Sequence, residues 1–351
     1  MSNEDEILFT VAGEIGLVTL NRPKALNALT HEMCLALRSQ LTEWETDENV
    51  KAVLIEGAGE KAFCAGGDIV KLYNEGKGGG GYPNDFYRDE YLLNRAVKHF
   101  TKPYIALIDG IVMGGGVGVS VHGSHRVATE RTLFAMPETG IGLFPDVGGS
   151  FFLPRLAGEL GLYLGLTGAR LKAADAVYTG IAPVYVESGR LDALKDALTG
   201  HRFSGEAQSE VGAILKEFAS DPGVAPIAEV TSAIDAHFAK DSTEEILASL
   251  EGEADPWAQK TAATLRAKSP TSLKLAFQQL RRGAELDFDD CMRMEYRMVR
   301  RVIQGVDFYE GTRAVVIDKD QSPKWNPATL DAVSDTEIEE YFEPLTEGEL
   351  F

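Results

Sequence analysis

The sequence predicts an α/β protein that ends in a helical region. In the first half of the chain, short apolar runs that suit strands alternate with segments of helical spacing, and this alternation is typical of α/β layering. From about Gly189 the chain becomes rich in Ala, Glu and Lys, which favours helix. We therefore expect a mixed sheet followed by helices.

The first predicted element is a β-hairpin. The apolar runs Ile7–Ala12 and Ile15–Leu20 are joined at Gly13-Glu14, and glycine at the first turn position suits a tight type II′ turn. A helix is predicted next, because Thr30 can cap it and apolar residues then recur at helical spacing, at Met33, Leu37, Leu41 and Trp44.

Later segments are predicted in the same way: strands over 52–56 and 104–108, and helices over 205–219 and 256–267. Residues Gly76 to Pro83 include a run of consecutive glycines and have no means of forming a stable helix or strand. We expect a loop there, which is either a plain linker between two helices or a mobile flap over a ligand.

Composition excludes several classes of partner. The chain has 54 acidic and 34 basic residues and a formal charge of -20, which disfavours nucleic acid and anionic membrane surfaces. Its three cysteines have neither a disulfide nor a zinc-cluster spacing, which suits a reducing compartment. Met1 to Glu6 is acidic, unlike a secretory signal or a transit peptide, and we expect a cytoplasmic protein.

Two glycine-rich stretches are candidates for ligand contact. In residues 62–69, Gly66-Gly67 precedes a helix-like segment, where exposed N–H groups could meet an anion or a carbonyl oxygen. The alternative is a simple turn before a helix capped by Asp68. Residues 109–118 follow a strand, and their glycines allow the backbone to approach a ligand closely.

The third candidate stretch, residues 136–149, carries two carboxylates. Glu138 and Asp146 lie eight residues apart in an apolar segment shaped by glycine and proline. Such surroundings shift the pKa of a carboxyl group toward values that are useful in catalysis. The alternative is that Glu138 caps a helix and Asp146 forms a turn.

Other catalytic patterns fail in this sequence. Residues 116–121 lack the last glycine of a dinucleotide-binding motif, and 118–122 end in His122 where a nucleophile elbow requires glycine. Residues 75–78 lack the hydroxyl residue and the spacing of a P-loop. His122 and His125 have no partner carboxylate motif, so no metal is predicted.

Taken in order with Asn21 to Leu29, these stretches resemble the crotonase (enoyl-CoA hydratase/isomerase) superfamily over nearly the whole chain. The resemblance implies a crotonase spiral of ββα units. It implies a core with the acyl-CoA site in residues 1–190, which a helical C-terminal region, 191–351, completes. It also implies an acyl-CoA substrate, no separate cofactor, and possible homo-oligomers.

The resemblance further implies roles for individual residues. Coenzyme A would lie against Lys24, Ala25 and Leu26, with a second contact segment at Ala65, Gly67, Asp68 and Ile69. The backbone N–H groups of Gly67 and Gly115 would form an oxyanion hole, to which the dipole of the helix after Gly115 adds partial positive charge. Glu138 and Asp146 would be catalytic, and Glu90 would line the acyl end.

One departure points to a branch of the superfamily. Hydratases carry a second glutamate at the position of Gly118, whereas Glu138 is retained here and Asp146 follows Pro145. This variant, Glu90, the chain length and residues 307–320 are similar to the 3-hydroxyisobutyryl-CoA hydrolase branch. The resemblance implies thioester hydrolysis in valine degradation, with Glu138 as nucleophile or general base. A hydratase or isomerase that uses Glu138 with Asp146, and a noncatalytic acyl-CoA binder, are the alternatives.

Overall fold

The structure is a computed structural model that describes residues 5–351. The strands of this described part are β1 (Ile7–Ala12), β2 (Ile15–Leu20), β3 (Ala52–Gly57), β4 (Ala62–Cys64), β5 (Tyr104–Ile108), β6 (Ile111–Met113), β7 (His125–Ala128), β8 (Leu133–Ala135), β9 (Leu171–Lys172) and β10 (Val184–Tyr185).

The strands form two sheets. One has six strands in the order β1-β2-β3-β5-β7-β10, and the other has four in the order β4-β6-β8-β9. The β1–β2 hairpin is antiparallel and turns at Gly13, whose φ of +60° suits glycine, whereas β2, β3, β5, β7 and β10 run parallel to one another. The predicted hairpin and mixed sheet are confirmed.

The first α-helices of the described chain are α1 (His31–Thr46), α2 (Ile69–Lys77), α3 (Tyr82–His99), α4 (Gly115–Gly118), α5 (Gly149–Phe152), α6 (Leu160–Thr167), α7 (Ala173–Tyr178), α8 (Leu191–Gly200) and α9 (Ala207–Phe218). The C-terminal helices are α10 (Thr231–Phe238), α11 (Thr243–Glu251), α12 (Pro256–Arg266), α13 (Pro270–Gly283), α14 (Phe288–Val302), α15 (Asp307–Thr312) and α16 (Asp335–Glu340). The predicted helical C-terminal region is confirmed.

Local signals place α1 as predicted, but the glycine loop after α2 is shorter than predicted. The Thr30 side chain accepts a hydrogen bond from the Met33 N–H at 3.2 Å, and the predicted apolar positions of α1 are buried. The prediction of a loop over 76–83 is wrong at both ends. Helix α2 continues to Lys77, and α3 begins at Tyr82, because proline at position 83 is compatible with the first turn of a helix.

The chain divides into two compact units. The first comprises residues up to Gly67, Leu92–Phe134 and Leu171–Ala228. Its core lies between the six-stranded sheet and helices α8 and α9, where Leu54, Leu107 and Val127 meet Leu194 and Leu215.

The second unit comprises Asp68–Tyr91, Ala135–Arg170 and Glu229–Phe351 and is mainly helical. The boundary near residue 190 that the sequence suggested stays a prediction.

Two further features of the described chain bear on function. None of its helices combines the length and the apolar character needed to cross a membrane. Its cysteines, Cys34, Cys64 and Cys291, are all buried, and none of them forms a disulfide.

Candidate active site

The first unit brings the two glycine-rich stretches together. Strands β4 and β6 are parallel neighbours, with Cys64 beside Val112, so the segments that follow them emerge at the same edge of the sheet. An ideal Cβ on Gly66 would lie 3.8 Å from the amide nitrogen of Gly115. The positions of Gly67 and Gly115 are therefore close neighbours within this unit.

These two glycines have backbone donors to offer. Within residues 5–351, neither the N–H of Gly67 nor that of Gly115 has a hydrogen-bond acceptor. Gly116 fixes the approach of the two segments, since a Cβ there would lie 2.1 Å from the carbonyl oxygen of Cys64. The geometry therefore suits two N–H groups that await an acceptor such as a carbonyl oxygen.

The segment proposed to meet coenzyme A is tied to the same place. Residues Pro23–Ala25 form a 3-10 helix, after which Leu26 adopts a left-handed φ of +52°. The Leu26 carbonyl accepts a hydrogen bond from Ala65 N–H at 3.0 Å, and Leu29 N–H donates to the Gly66 carbonyl at 2.8 Å. Lys24 and Ala25 are exposed beside this junction, where an anionic ligand can reach them.

The three carboxyl side chains predicted for the site are all buried in the second unit. Glu90 lies on α3, Glu138 begins the 3-10 helix Glu138–Ile141, and Asp146 lies in the loop before α5. Their exposed fractions are 2%, 4% and 3%. Oδ2 of Asp146 accepts a hydrogen bond of 2.9 Å from Tyr91, whereas Oε1 of Glu90 and Oε2 of Glu138 have no partner among the described residues.

Burial and mutual repulsion change the acidity of this cluster. Burial raises the pKa of Glu138 well above its usual range, the charge of Asp146 raises it further, and Lys268 opposes this. Burial and the charges of Asp146 and Glu138 likewise raise the pKa of Glu90. Burial raises the pKa of Asp146 to about 7, although the Tyr91 hydrogen bond lowers it. Asp146 can therefore bind and release a proton near neutral pH.

Sequence reasoning missed Tyr87. Its hydroxyl is buried and has no partner in the described chain, and the charges of Asp146, Glu90 and Glu138 all act on it. The available signal was helical spacing, because Glu90 and Tyr91 follow Tyr87 by three and four residues and so lie on the same face of α3 as Tyr87.

The structure also bears on the alternative roles predicted for Asp68 and Asp146 and on the dipole predicted for α4. The side chain of Asp68 accepts from Lys71 N–H at 3.1 Å and caps α2, so its contact with coenzyme A stays a prediction, as does that of Ile69. Asp146 does form a turn, in which its carbonyl accepts from Gly149 N–H, yet its carboxyl group is buried. Helix α4 has only four residues, so the expected dipole contribution at Gly115 is small.

The glycine loop borders a cavity within the second unit. This cavity has a volume of about 890 Å³, and its lining includes Gly79, Gly80, Tyr309 and Lys324. That the loop is either a linker or a flap stays a prediction. No group of three or more His, Cys, Asp or Glu residues in the described range is arranged to hold a metal ion.

The chain belongs to the enoyl-CoA hydratase/isomerase family. The family model matches residues 15–342. A solved structure described as a carnitinyl-CoA dehydratase from Mycobacterium thermoresistibile has a TM-score of 0.92 and 41% identity, covering 99% of both chains. One described as an enoyl-CoA hydratase from Rhodobacter sphaeroides has a TM-score of 0.89 and 36% identity, covering 99% of this chain and 100% of its own. The predicted crotonase fold is confirmed.

Curated relatives within this family share one named activity. The chain is 49% identical to a protein of Danio rerio named "3-hydroxyisobutyryl-CoA hydrolase, mitochondrial", over 98% of this chain and 91% of the relative. It is 43% identical to the Homo sapiens protein of the same name, over 99% and 90%. The expectation of the hydrolase branch agrees with these names.

The same names show that the expectation of a cytoplasmic protein is wrong, because both relatives are named as mitochondrial. Its physical basis was weak. Scarce cysteines that form no disulfide indicate a reducing environment, and they do not distinguish between reducing compartments.

Proposed function

We propose that the chain hydrolyses the thioester of 3-hydroxyisobutyryl-CoA, releasing 3-hydroxyisobutyrate and free coenzyme A. The observation that carries this proposal is the buried Glu138, which has an unpartnered oxygen and a raised pKa, in a chain with Gly118 where hydratases have their other glutamate. The relatives' names support the substrate, and the resemblance to the hydrolase branch implies a place in valine degradation.

The N–H groups of Gly67 and Gly115 would bind the thioester oxygen and stabilise the negative charge that develops on it. The assignment of these donors and Glu138 to one reaction rests on family membership. Loss of one such donor typically costs about 3 kcal/mol of transition-state stabilisation. Because a thiol is far more acidic than an alcohol or amine, the thiolate can leave without a strong acid catalyst.

Glu138 has two possible routes. As a general base, its carboxylate would take a proton from water while the water oxygen bonds to the carbonyl carbon, after which the C–S bond breaks and the thiolate leaves. As a nucleophile, it would form a mixed anhydride as the thiolate leaves, and water would then hydrolyse the anhydride. Asp146 would orient the substrate hydroxyl or assist proton transfer, and Glu90 would line the acyl end.

The activity is tested by supplying 3-hydroxyisobutyryl-CoA with a thiol reagent. We expect thiol release that Glu138→Gln lowers by at least about 100-fold. Glu206→Gln, at an exposed position, is the matched control and should leave release unchanged. Thiol release that survives Glu138→Gln would refute the assigned role. A single turnover in ¹⁸O water that leaves ¹⁸O in Glu138 would establish the anhydride route, since water that attacks the glutamyl carbonyl of the anhydride leaves its oxygen there.

A hydratase or dehydratase is the second candidate, because the two solved structures carry those descriptions. The same preparation is offered crotonyl-CoA while the absorbance of its conjugated double bond is followed. Loss of that absorbance without thiol release would favour the hydratase. Neither signal would favour a noncatalytic acyl-CoA binder.

A further inference from the structure

Glu295 is a fully buried carboxyl group that the proposed reaction does not use. It lies on α14 in the second unit, with an exposed fraction of 0%. Charged side chains are almost never buried to this degree unless they are paired or hydrogen-bonded. The partners of Glu295 therefore indicate what it does.

Those partners lie just after Asp146, in its loop and in the first turn of α5. Oε2 of Glu295 accepts a hydrogen bond from Gly148 N–H at 2.8 Å, and Oε1 accepts one from Ser150 N–H at 2.9 Å and another from the Ser150 hydroxyl. The first of these donors is only two residues beyond Asp146. Glu295 thus fixes the backbone immediately after the catalytic candidate.

This backbone has a conformation that needs support. Val147 has a φ of +53° and Gly148 a φ of +86°. A left-handed conformation is unfavourable for a β-branched residue such as valine, and it persists only where the surroundings impose it. The hydrogen bonds from Gly148 and Ser150 to Glu295 supply such a constraint.

The other side of Asp146 is also held. The side chain of Gln279, on α13, is buried and donates a hydrogen bond of 2.6 Å to the carbonyl oxygen of Pro145. Asp146 therefore lies between two backbone positions that buried side chains hold, and its carboxyl group meets the Tyr91 hydroxyl at 2.9 Å. A shift of the loop would change the direction in which the Asp146 carboxyl group points.

We propose that Glu295 is a positioning residue for the reaction, which holds Val147 to Ser150 in place and thereby directs the carboxyl group of Asp146. The proposal rests on the proposed function insofar as Asp146 takes part in hydrolysis. Burial also raises the pKa of Glu295 to about 8, while its hydrogen bonds from Ser150 and Gly148 lower it and the charge of Asp146 raises it.

The test is a double-mutant cycle with Glu295→Gln and Asp146→Asn. Glutamine keeps the size of the side chain but replaces one accepting oxygen by a donor, so the loop loses at least one hydrogen bond. We expect Glu295→Gln alone to lower kcat by at least about tenfold with a smaller change in KM. In the Asp146→Asn background the same change should have almost no further effect, because Glu295 acts through Asp146.

A matched control separates positioning from general stability. Asp175, on α7 in the first unit, is another buried carboxyl group, and its Oδ1 accepts a hydrogen bond from Ile227 N–H at 2.9 Å. Asp175→Asn should lower the urea midpoint yet keep kcat within about threefold, since this hydrogen bond holds a segment other than Val147 to Ser150. All variants are assayed at a temperature at which circular dichroism shows them fully folded.

Two outcomes would overturn the proposal: an unchanged kcat in Glu295→Gln, or an equal loss in the wild-type and Asp146→Asn backgrounds. If the wild-type protein releases no thiol, the proposed function fails instead. The positioning role is then tested by a crystal structure of Glu295→Gln. There we expect Val147 to leave the left-handed region and the Tyr91–Asp146 hydrogen bond to lengthen, and an unchanged loop would refute the role.

Discussion

The hydroxyl of Tyr91 donates a 2.9 Å hydrogen bond to Oδ2 of Asp146, across 55 positions of sequence. Burial raises the pKa of Asp146 to about 7, and this hydrogen bond opposes the effect of burial. A hydrogen bond that is donated to a carboxylate stabilises its ionised form. The charge that Asp146 carries at neutral pH therefore depends on one phenol group.

Replacing Tyr91 by phenylalanine tests this dependence. Loss of the donor should raise the pKa of Asp146 above about 7, so that Asp146 is protonated in a larger fraction of the molecules at neutral pH. We expect the acid limb of kcat/KM against pH to move upward by about one pH unit. Tyr178→Phe, at an exposed position, should leave the limb in place. A limb that stays fixed in Tyr91→Phe would show that Asp146 does not control it.

The raised pKa values of the buried carboxyl groups also predict how stability depends on pH. The pKa is raised to about 7 for Asp146 and to about 8 for Glu295, chiefly by burial, so the native state binds more protons than the unfolded state between pH 6.5 and 8. The free energy of unfolding should therefore fall as pH rises through this window, by about 1 kcal/mol or more. The lowered pKa values of Glu210 and Glu310, about 2, act only at lower pH.

Urea unfolding at pH 6.5, 7.2 and 8 measures this dependence. Glu295→Gln cannot ionise at this position, so its free energy of unfolding should vary less with pH than that of the wild-type protein. A wild-type stability that rises over the window would contradict the assignment of raised pKa values.

Gly116→Ala tests the close approach of the two glycine segments. Its Cβ would lie 2.1 Å from the Cys64 carbonyl oxygen, so β4 and α4 must move apart. We expect the free energy of unfolding to fall by about 1–3 kcal/mol, together with a loss of activity. Gly200→Ala is the matched control, because a Cβ there meets no atom within 4 Å. Equal stabilities of the two variants would argue against a tight junction.

Lys24→Ala tests the proposed contact with coenzyme A. Lys24 is exposed, so its loss should not change stability, but KM for the coenzyme A thioester should rise by roughly tenfold. The thioester of pantetheine, which lacks the adenosine phosphates, should show no such change. Lys216→Ala, at an exposed position on α9, serves as the control. A rise in KM for both thioesters would contradict a contact between Lys24 and the adenosine phosphates.

Sequence reasoning worked where the signal is local. The hairpin followed from two apolar runs around Gly13, and α1 followed from its Thr30 cap and helical spacing. The predicted glycine loop was too long at both ends, because Gly76 belongs to α2 and Pro83 fits the first turn of α3. Here position within a helix outweighed residue preference.

The candidate site was only partly predictable. Glu138 and Asp146 stood out because they share an apolar segment, whereas Glu90 came only from the family resemblance. Glu295 and Gln279 could not be predicted, since the contacts that explain them join residues more than 130 positions apart. No spacing rule connects such residues before the helices of the second unit pack.

The burial of Cys34, Cys64 and Cys291 has a practical consequence for the assay. A thiol reagent that counts released coenzyme A should find little background from the folded enzyme, because none of these sulfurs is accessible. In denaturant the same reagent should titrate three equivalents per chain. One colorimetric measurement can therefore report both product formation and the folded fraction of each variant, with no second label attached.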